Sequence, residues 1–484
     1  MLDYDIVVIG GSLTGRYAAL AAAQMQARVA LVEPKLPANP IGSILGQIYS
    51  QALIAASHRI QSTGQFSSAG LVTPETTDWS AIQQWAWRTT ENITHQHSLA
   101  KLSALGIVVI PGLGEFSAQP RLHFQVHPVD QVDTRGRLLI SRTYLLATPD
   151  QPRVPEVPGL TLTGFLTPKT IGKLTQIPGR LLVIGGEPQG IELAQALAQL
   201  GSTVTIVVKQ SHILAQEDSE AACWIQAQLE AQGIRVLTQT EIVQAQMIQG
   251  KKWVQAGNQA IEVDEILLAA GQQPDLSHLN LESAQVRQSG AYLQLNSKLQ
   301  TTNPRIYACG EATGGYSFIN LANHEAKIAV KNALYFPWFP VNYQGIPWAI
   351  FSYPQLARVG LTEAQARQRY GAEIWVTQDS FEENTRTALQ AEVRGFIKLV
   401  GRQNNQLLGA SVVSTQAGEM INLLGMAIRQ EIKLEKMADS AFVWPTFSEG
   451  VTQIIQNRLQ QRRQAQRFRY DWIESLFHWR RYWS

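Results

Sequence analysis

The chain has 484 residues, of which 45% are apolar and 16% charged. This length predicts about three domains, and the composition excludes a disordered or fibrous protein. The formal charge of +2 conceals an asymmetry, because residues 451–484 carry seven arginines against Asp471 and Glu474 and leave residues 1–450 net acidic. An electrostatic partner is therefore expected at the C-terminus, and nucleic acid is not expected as a partner.

Cysteine usage and the first residues narrow the class further. Cys223 and Cys309 are the two cysteines, and their separation fits neither a disulfide framework nor a metal-binding CxxC pair. Both are predicted to be small buried apolar side chains, and no metal site is expected. The chain runs directly into a strand without an apolar leader, so it is expected to be neither exported nor membrane-spanning.

The first predicted element is a strand, glycine turn, helix and strand that ends at Glu33. The turn reads Gly10-x-Ser12-x-x-Gly15. In such units the first glycine makes the tight turn, the middle position lets the backbone approach a pyrophosphate, and the last lets helix pack on strand. Glu33 is placed to accept from a ribose hydroxyl, so the pattern predicts a dinucleotide site. The alternative is an ordinary parallel βαβ unit.

A second copy of this pattern occupies residues 180–208, with the turn Gly185-x-Glu187-x-x-Gly190. A carboxylate near a pyrophosphate is unfavourable unless it points into water, so the competence of this second site stays open. Val208 and Lys209 end its second strand. Two such units predict two nucleotide-binding domains.

Short segments connect these units. ATPD at 147–150 precedes a proline-rich link, and AAGQQPD, which contains Gly271, returns the chain to the first domain. A strand and glycine turn then bring Gly310 and Glu311 against the dinucleotide of the first site.

The order of these motifs, followed by YPQLARVGLTE and WPTFSE, resembles the flavoprotein disulfide reductases, among them dihydrolipoamide dehydrogenase, glutathione reductase and mercuric reductase. The resemblance implies an α/β fold with two Rossmann-like dinucleotide-binding domains, an α+β dimerisation domain and a C-terminal amphipathic tail, with FAD as cofactor in a homodimer. The implied boundaries are 1–150 and 271–340 for FAD, 151–270 for NAD(P)H, 341–455 for the interface and 456–484 for the tail.

The chain departs from this family at its redox centre. The family's cysteine pair aligns with Gly42 and Gln47 in NPIGSILGQIYSQAL, and neither residue can form a thiolate. The lysine beside the flavin aligns with Gln51, while its glutamate partner is kept as Glu192. A neutral amide thus replaces a positive charge, which is expected to lower the flavin potential.

A further departure concerns the proton donor. The family closes its active site across the dimer with HPTxxE, but here Trp444 stands at the histidine position and Glu449 at the glutamate position. Tryptophan cannot shuttle protons, so the resemblance implies that disulfide reduction has been lost.

The residues at the end of the second strand of the second unit indicate which nucleotide is preferred. NADH-preferring relatives place an acid where Val208 stands, whereas Lys209 can pair with a 2′-phosphate, so NADPH is predicted and NADH is less favoured. The alternative is that Lys209 is a solvated turn residue.

Residues 456–484 form a basic aromatic tail. Its large apolar side chains recur at helical spacing and form one stripe, and arginines surround this stripe, which is typical of a helix in an anionic membrane interface. The stripe consists of Phe468, Trp472, Leu476, Trp479 and Trp483, and Ile473 and Phe477 widen it. The alternatives are packing on the dimer and binding of another protein.

The leading hypothesis is an NADPH oxidoreductase that passes electrons from FAD to a non-thiol acceptor such as a quinone, cytoplasmic and peripheral on the inner face of a membrane. The acceptor pocket would be lined by Gly42, Gln47, Gln51 and the other subunit's Trp444. The alternatives are a soluble transhydrogenase or NADPH oxidase, and a non-catalytic flavin-bearing binding protein.

Overall fold

The computed structural model describes residues 2–33, 44–68, 78–95, 98–127, 136–314, 318–382, 384–390, 395–465 and 479–481. The chain divides into two compact units. The first unit is Met1–Ile213 with Gln228–Asn342, and the second unit is Leu214–Ala227 with Tyr343–Ser484.

The helices in chain order are α1 (Leu13–Gln24), α2 (Ile44–Ser68), α3 (Trp79–His95), α4 (Leu99–Ala104), α5 (Leu160–Thr163), α6 (Pro188–Gln199), α7 (Ser219–Ala231), α8 (Ile319–Leu334), α9 (Glu363–Tyr370), α10 (Thr385–Gln390), α11 (Ala417–Arg429), α12 (Leu434–Ala438) and α13 (Ser448–Ala465). Short 3₁₀ helices lie at Pro168–Lys173, Gly310–Thr313 and Gly371–Glu373.

The strands in chain order are β1 (Tyr4–Ile9), β2 (Val29–Glu33), β3 (Val108–Pro111), β4 (Leu113–Ser117), β5 (His123–His127), β6 (Arg137–Leu139), β7 (Ser141–Leu146), β8 (Asp150–Pro152), β9 (Arg180–Ile184), β10 (Thr203–Val207), β11 (Arg235–Leu237), β12 (Ile242–Ile248), β13 (Lys251–Ala256), β14 (Gln259–Val263), β15 (Glu265–Leu268), β16 (Gln272–Pro274), β17 (Gln288–Ser289), β18 (Tyr292–Leu293), β19 (Ile306–Ala308), β20 (Pro347–Ile350), β21 (Gln355–Gly360), β22 (Ile374–Ser380), β23 (Phe396–Arg402) and β24 (Leu407–Ser414).

The first sheet of the first unit is parallel, with the order β19-β7-β1-β2-β3. Alternate residues of β1 enter two different cores: Val7 and Ile9 pack on one face, and Ile6 and Val8 pack against the small residues of α1 on the other. Burial on both faces explains why this strand is an unbroken apolar run. The carboxyl ends of β1, β2, β7 and β19 therefore meet at one edge of the sheet, which we call the carboxyl edge.

A second parallel sheet in the same unit has the order β11-β10-β9-β15. The chain passes from the first sheet to the second through β8 and comes back through β16. These two strands pair antiparallel, with Gln151 opposite Gln273. The two predicted crossings between the sheets therefore run side by side as a ribbon. Further antiparallel sheets are formed by β4-β5-β6 and by β12-β13-β14.

The second unit contains an antiparallel sheet of order β20-β21-β24-β23-β22. Its core joins this sheet to α11 and α13, for example through Leu399, Leu424 and Val451, which are all fully buried. The predicted fold class is confirmed for both Rossmann-type sheets and for the α+β domain. Among the described residues, no helix has both the length and the apolar character needed to cross a bilayer.

Candidate functional site

The first glycine turn joins β1 to α1 at the carboxyl edge. Gly10 has φ +118°, and a Cβ there would lie 2.2 Å from the carbonyl oxygen of Ala147. A Cβ on Gly15 would lie 2.0 Å from the carbonyl oxygen of Gly10. Both positions therefore require glycine, because any side chain would collide with backbone.

Ser12, at the middle position of the turn, is the N-cap of α1. Its Oγ accepts from the Gly15 backbone N–H at 3.1 Å and donates to the Ala147 carbonyl at 3.0 Å. The hydroxyl is thus held by protein groups, and it stabilises the helix start. Serine at this position is compatible with the turn because its side chain has two partners of its own.

Glu33 ends β2 and is buried. One of its oxygens, Oε1, accepts from Nη2 of the buried Arg16 at 2.5 Å, and Arg16 Nε donates to the Gly11 carbonyl. Burial raises the pKa of Glu33, and the Arg16 charge opposes that rise. The sequence did not predict that Arg16 belongs to this site, because within its own helix it looks like an ordinary charged residue.

Two buried polar atoms at the carboxyl edge have no hydrogen-bond partner among the described residues. They are Glu33 Oε2 and Thr148 Oγ1. A buried polar atom without a partner is costly unless a ligand satisfies it. Together with the first glycine turn, these atoms fit a dinucleotide such as FAD, with Glu33 taking a ribose hydroxyl.

Glu311 lies at the same edge, on the 3₁₀ helix after β19. Its Oε2 accepts from the Asp150 backbone N–H at 3.1 Å, and its Oε1 is 3.6 Å from Nζ of Lys169. Lys169 also makes an ion pair with the Asp150 carboxylate. We call these three side chains the edge cluster. Asp150 and Lys169 were not predicted as site residues.

The edge cluster is buried, and its electrostatics follow from that. Burial raises the pKa of Glu311, while the Lys169 charge opposes the rise. Burial alone would lower the pKa of Lys169, but the Glu311 and Asp150 carboxylates raise it above its ordinary value. Lys169 is therefore charged near neutral pH.

The turn that carries Glu311 is held by a second carboxylate. Gly310 has φ +63°, and its backbone N–H donates to Glu325 Oε2 at 2.7 Å. Glu325 lies on α8 and is 4% exposed. This contact links α8 to the 3₁₀ helix and supports the position of Glu311.

Helix α2 carries the positions that align with the redox centre. Gln51 Nε2 donates to Glu192 Oε2 at 2.9 Å, and Glu192 is 3% exposed on α6. Gln47 lies about one helical turn before Gln51 and is partly buried. Gly42 lies outside the described residues. The structure thus brings together the neutral amide and the carboxylate that the alignment paired.

The second glycine turn repeats the geometry of the first. Gly185 has φ +108°, and a Cβ there would lie 2.2 Å from the Ala269 carbonyl oxygen, while a Cβ on Gly190 would lie 2.3 Å from the Ala269 Cβ. Glu187 is the N-cap of α6 but makes no side-chain cap hydrogen bond. Gly271 has φ +104° just beyond β15. The backbone of a nucleotide turn is therefore present here too.

Beyond this turn, Val208 is buried, and its backbone N–H donates to the Leu237 carbonyl at 2.9 Å. Lys209 follows at the surface, with Nζ 3.1 Å from Glu241 Oε1 and both side chains about two-thirds exposed. An exposed ion pair of this kind contributes up to about 1 kcal/mol. Lys209 can therefore exchange Glu241 for another anion at little cost.

Trp444 and Glu449 belong to the second unit. Trp444 is 66% exposed, next to the exposed Val443. Glu449 begins α13, and its Oε2 is buried without a hydrogen-bond partner among the described residues. The indole presents no group that can transfer a proton to a substrate.

The two cysteines differ in exposure. Cys309 is 0% exposed, and burial, assisted by Glu325, raises the pKa of its thiol well above the ordinary value. The prediction that Cys223 is buried is wrong, because this thiol is exposed on α7. Ala222, Ile225 and Leu229 form the buried face of that helix, and Cys223 falls beside it.

The predicted tail is described only in part. Arg458 lies over the Trp375 ring at 5.0 Å, and Arg462 is 3.8 Å from Glu435, so these two arginines contact the second unit itself. Trp479 is 61% exposed. The other predicted stripe positions lie outside the described residues; they are Phe468, Trp472, Ile473, Leu476, Phe477 and Trp483.

The two glycine turns on two parallel sheets define a two-dinucleotide α/β oxidoreductase. A family model described as pyridine nucleotide-disulphide oxidoreductase matches residues 4–326, and the model of its dimerisation domain matches residues 346–455. The chain belongs to this family and is an FAD-dependent oxidoreductase that also uses a pyridine nucleotide. The dimerisation domain supports a homodimer.

Known relatives agree with this assignment. The chain is 29% identical over 463 residues to a mercuric reductase of Staphylococcus aureus, covering 93% of this chain and 81% of the relative. It is 29% identical over 453 residues to a dihydrolipoyl dehydrogenase of Chlamydia pneumoniae, covering 92% and 95%. A solved Cu(II) complex of the HOCl-induced flavoprotein disulfide reductase RclA from Escherichia coli superposes with a TM-score of 0.81 at 26% identity, covering 94% of this chain and 99% of that one.

Proposed function

We propose that this protein takes electrons from NADPH and passes them through FAD to a non-thiol acceptor, a quinone. The observation that carries the proposal is the contact between Gln51 and Glu192 on the helix that bears Gln47. No cysteine occurs at either aligned position of the family's disulfide, since Gly42 and Gln47 stand there. Without a thiolate, the acceptor must take electrons from the flavin directly.

The residues of the site have separable roles in this proposal. FAD supplies the transfer of electrons between nicotinamide and acceptor. The first glycine turn and Glu33 would bind the ADP half of FAD, and the second turn and Lys209 would bind NADPH. Gln51 stays neutral at every pH, so it neither gives nor takes a proton, and its amide holds Glu192 in place at 2.9 Å.

Acceptor choice provides the test of the proposal. NADPH added without oxygen should bleach the visible flavin band of the purified protein, and a soluble quinone should restore it. N-ethylmaleimide and arsenite should leave the rate unchanged, because the proposed electron transfer uses no thiol; Cys223 is exposed but has no role in it, and Cys309 is buried. Lipoamide, glutathione disulfide and mercuric ion should not restore the band.

A double variant, Gly42→Cys with Gln47→Cys, tests whether restoring the two cysteines is enough to restore disulfide reduction. We expect it to remain a poor disulfide reductase, because Trp444 still offers no transferable proton. Turnover of a disulfide by the unaltered protein, or its inactivation by arsenite, would show that the acceptor assignment is wrong.

We further propose that the end of the tail attaches the protein to an anionic membrane, where a quinone is available. Arg480 and Arg481 are exposed beside the exposed Trp479. Arginine contributes about 1 kcal/mol each near an anionic surface, and tryptophan favours the interface. Arg458 and Arg462 contact the second unit. We assign the attachment to the residues after Ala465, where the exposed Trp479, Arg480 and Arg481 lie.

Liposome flotation tests this attachment. The intact protein should float with anionic vesicles at low salt and detach as salt rises, because the arginine attraction is screened. A chain ending at Ala465 should stay in the aqueous fraction, and the double variant Arg480→Gln, Arg481→Gln should bind about 30-fold more weakly. Equal flotation of the shortened chain would remove the membrane from the proposal.

A further inference from the structure

Lys169 is a buried cation at the carboxyl edge of the first sheet. Its side chain is 14% exposed and faces two carboxylates, those of Asp150 and Glu311. Nζ also lies 3.4 Å from the Asp150 backbone oxygen. Asp150 follows β7 and Glu311 follows β19, so the cluster lies where the carboxyl ends of parallel strands form a ligand crevice.

The segment that carries Lys169 is fixed against helix α2. A Cβ on Gly46 would lie 1.9 Å from the Lys169 carbonyl oxygen, so the helix and this backbone touch directly. Further along the 3₁₀ helix, a Cβ on Gly172 would lie 3.1 Å from the Trp87 ring and 3.4 Å from the Tyr49 ring. Gly46, next to Gln47, therefore packs directly against the backbone of Lys169.

The charges at this place differ from what the alignment predicts for a family member. Gln51 is neutral where the resemblance implies a lysine, and Asp150, in the ATPD segment, adds a negative charge at the carboxyl edge. A lone buried carboxylate or ammonium is costly, whereas a pair in contact offsets much of that cost. The Lys169 ammonium therefore offsets the cost of burying the Asp150 and Glu311 carboxylates.

We propose that Lys169 is a positioning residue of the flavin site, which holds Glu311 and Asp150 at the carboxyl edge and supplies the buried positive charge that Gln51 lacks, thereby raising the midpoint potential of bound FAD. Reduction adds negative charge to the flavin, and a buried cation nearby favours that form. This inference rests on the FAD dependence of the family, and it is independent of which acceptor the protein uses.

The experiment measures the midpoint potential and FAD retention of the full-length protein. Lys169→Met should lower the potential by the equivalent of about a tenfold change in the ratio of affinities for reduced and oxidised FAD, about 30 mV for a two-electron couple. Lys169→Arg keeps the charge and should restore most of the potential. Lys173→Met, on the same 3₁₀ helix but exposed, is the matched control and should leave it unchanged.

A second variant separates charge from packing. Asp150→Asn removes a negative charge with almost no change of shape, so it should raise the potential while Lys169→Met lowers it. If Lys169→Met fails to fold, the midpoint potential of the Asp150→Asn protein alone tests the proposal. An Asp150→Asn protein with unchanged or lower potential, or a Lys169→Met protein with wild-type potential, would show that the cluster only packs the edge. Acceptor assays do not enter either result.

Discussion

Replacing Arg358 by methionine should destabilise the second unit by about 3–5 kcal/mol, because it leaves a buried carboxylate without its cation. Arg358 Nε lies 2.6 Å from Glu217 Oε2, with the two side chains 6% and 1% exposed. Trp348 completes the arrangement, since its Nε1 donates to Glu217 at 3.1 Å and its ring stacks on the guanidinium at 4.2 Å.

Amide hydrogen exchange in β21 and β24 measures this loss locally, without requiring the whole chain to unfold in one step. The control is Arg367→Met: Arg367 is exposed, and its partner Glu363 also pairs with Lys398, so the loss should cost less than about 1 kcal/mol. Adding Glu217→Leu to the Arg358 variant should recover much of the stability, because both charges are then gone. A cost for Arg358→Met as small as that of the control would contradict the prediction.

Reversing the charge of Lys209 should change nucleotide preference strongly. If Lys209 pairs with a 2′-phosphate, Lys209→Glu should weaken NADPH binding by about 1.5–3 kcal/mol more than NADH binding, a factor of about 10–150. Titration of each nucleotide under anaerobic conditions, followed through the flavin band, gives both affinities.

Glu241 provides the matched control for this prediction. Its contact with Lys209 is exposed, so Glu241→Gln should leave NADH binding unchanged and tighten NADPH binding by less than about 1 kcal/mol. Equal weakening of both nucleotides by Lys209→Glu would assign Lys209 to the solvated surface instead.

The glycine turns could be predicted from the sequence because their constraints are local. Gly10 and Gly185 have positive φ, and a Cβ at either position would lie 2.2 Å from a carbonyl oxygen. Only glycine meets both conditions, so each turn is visible in the sequence as a glycine at a fixed position. The order of the two units then indicated the fold class. Helix phase could also have placed Cys223, because the buried Ala222, Ile225 and Leu229 share a face that excludes it.

The edge cluster could not be predicted in the same way. Lys169 and Asp150 come together across a domain link, and neither residue is unusual within its own segment. Their pairing depends on tertiary contact, as does the burial of Arg16 against Glu33. A single sequence shows two charged residues in loops, and only the fold shows that each neutralises the other.

The unequal exposure of the two cysteines makes the protein suited to distance measurements. Cys309 is sealed in the core, so a maleimide fluorophore or spin label attaches at Cys223 without any engineered substitution. A homodimer then carries one probe on each protomer. The separation between the two probes reports directly on subunit arrangement, and any change in it on adding nucleotide would follow the movement of α7.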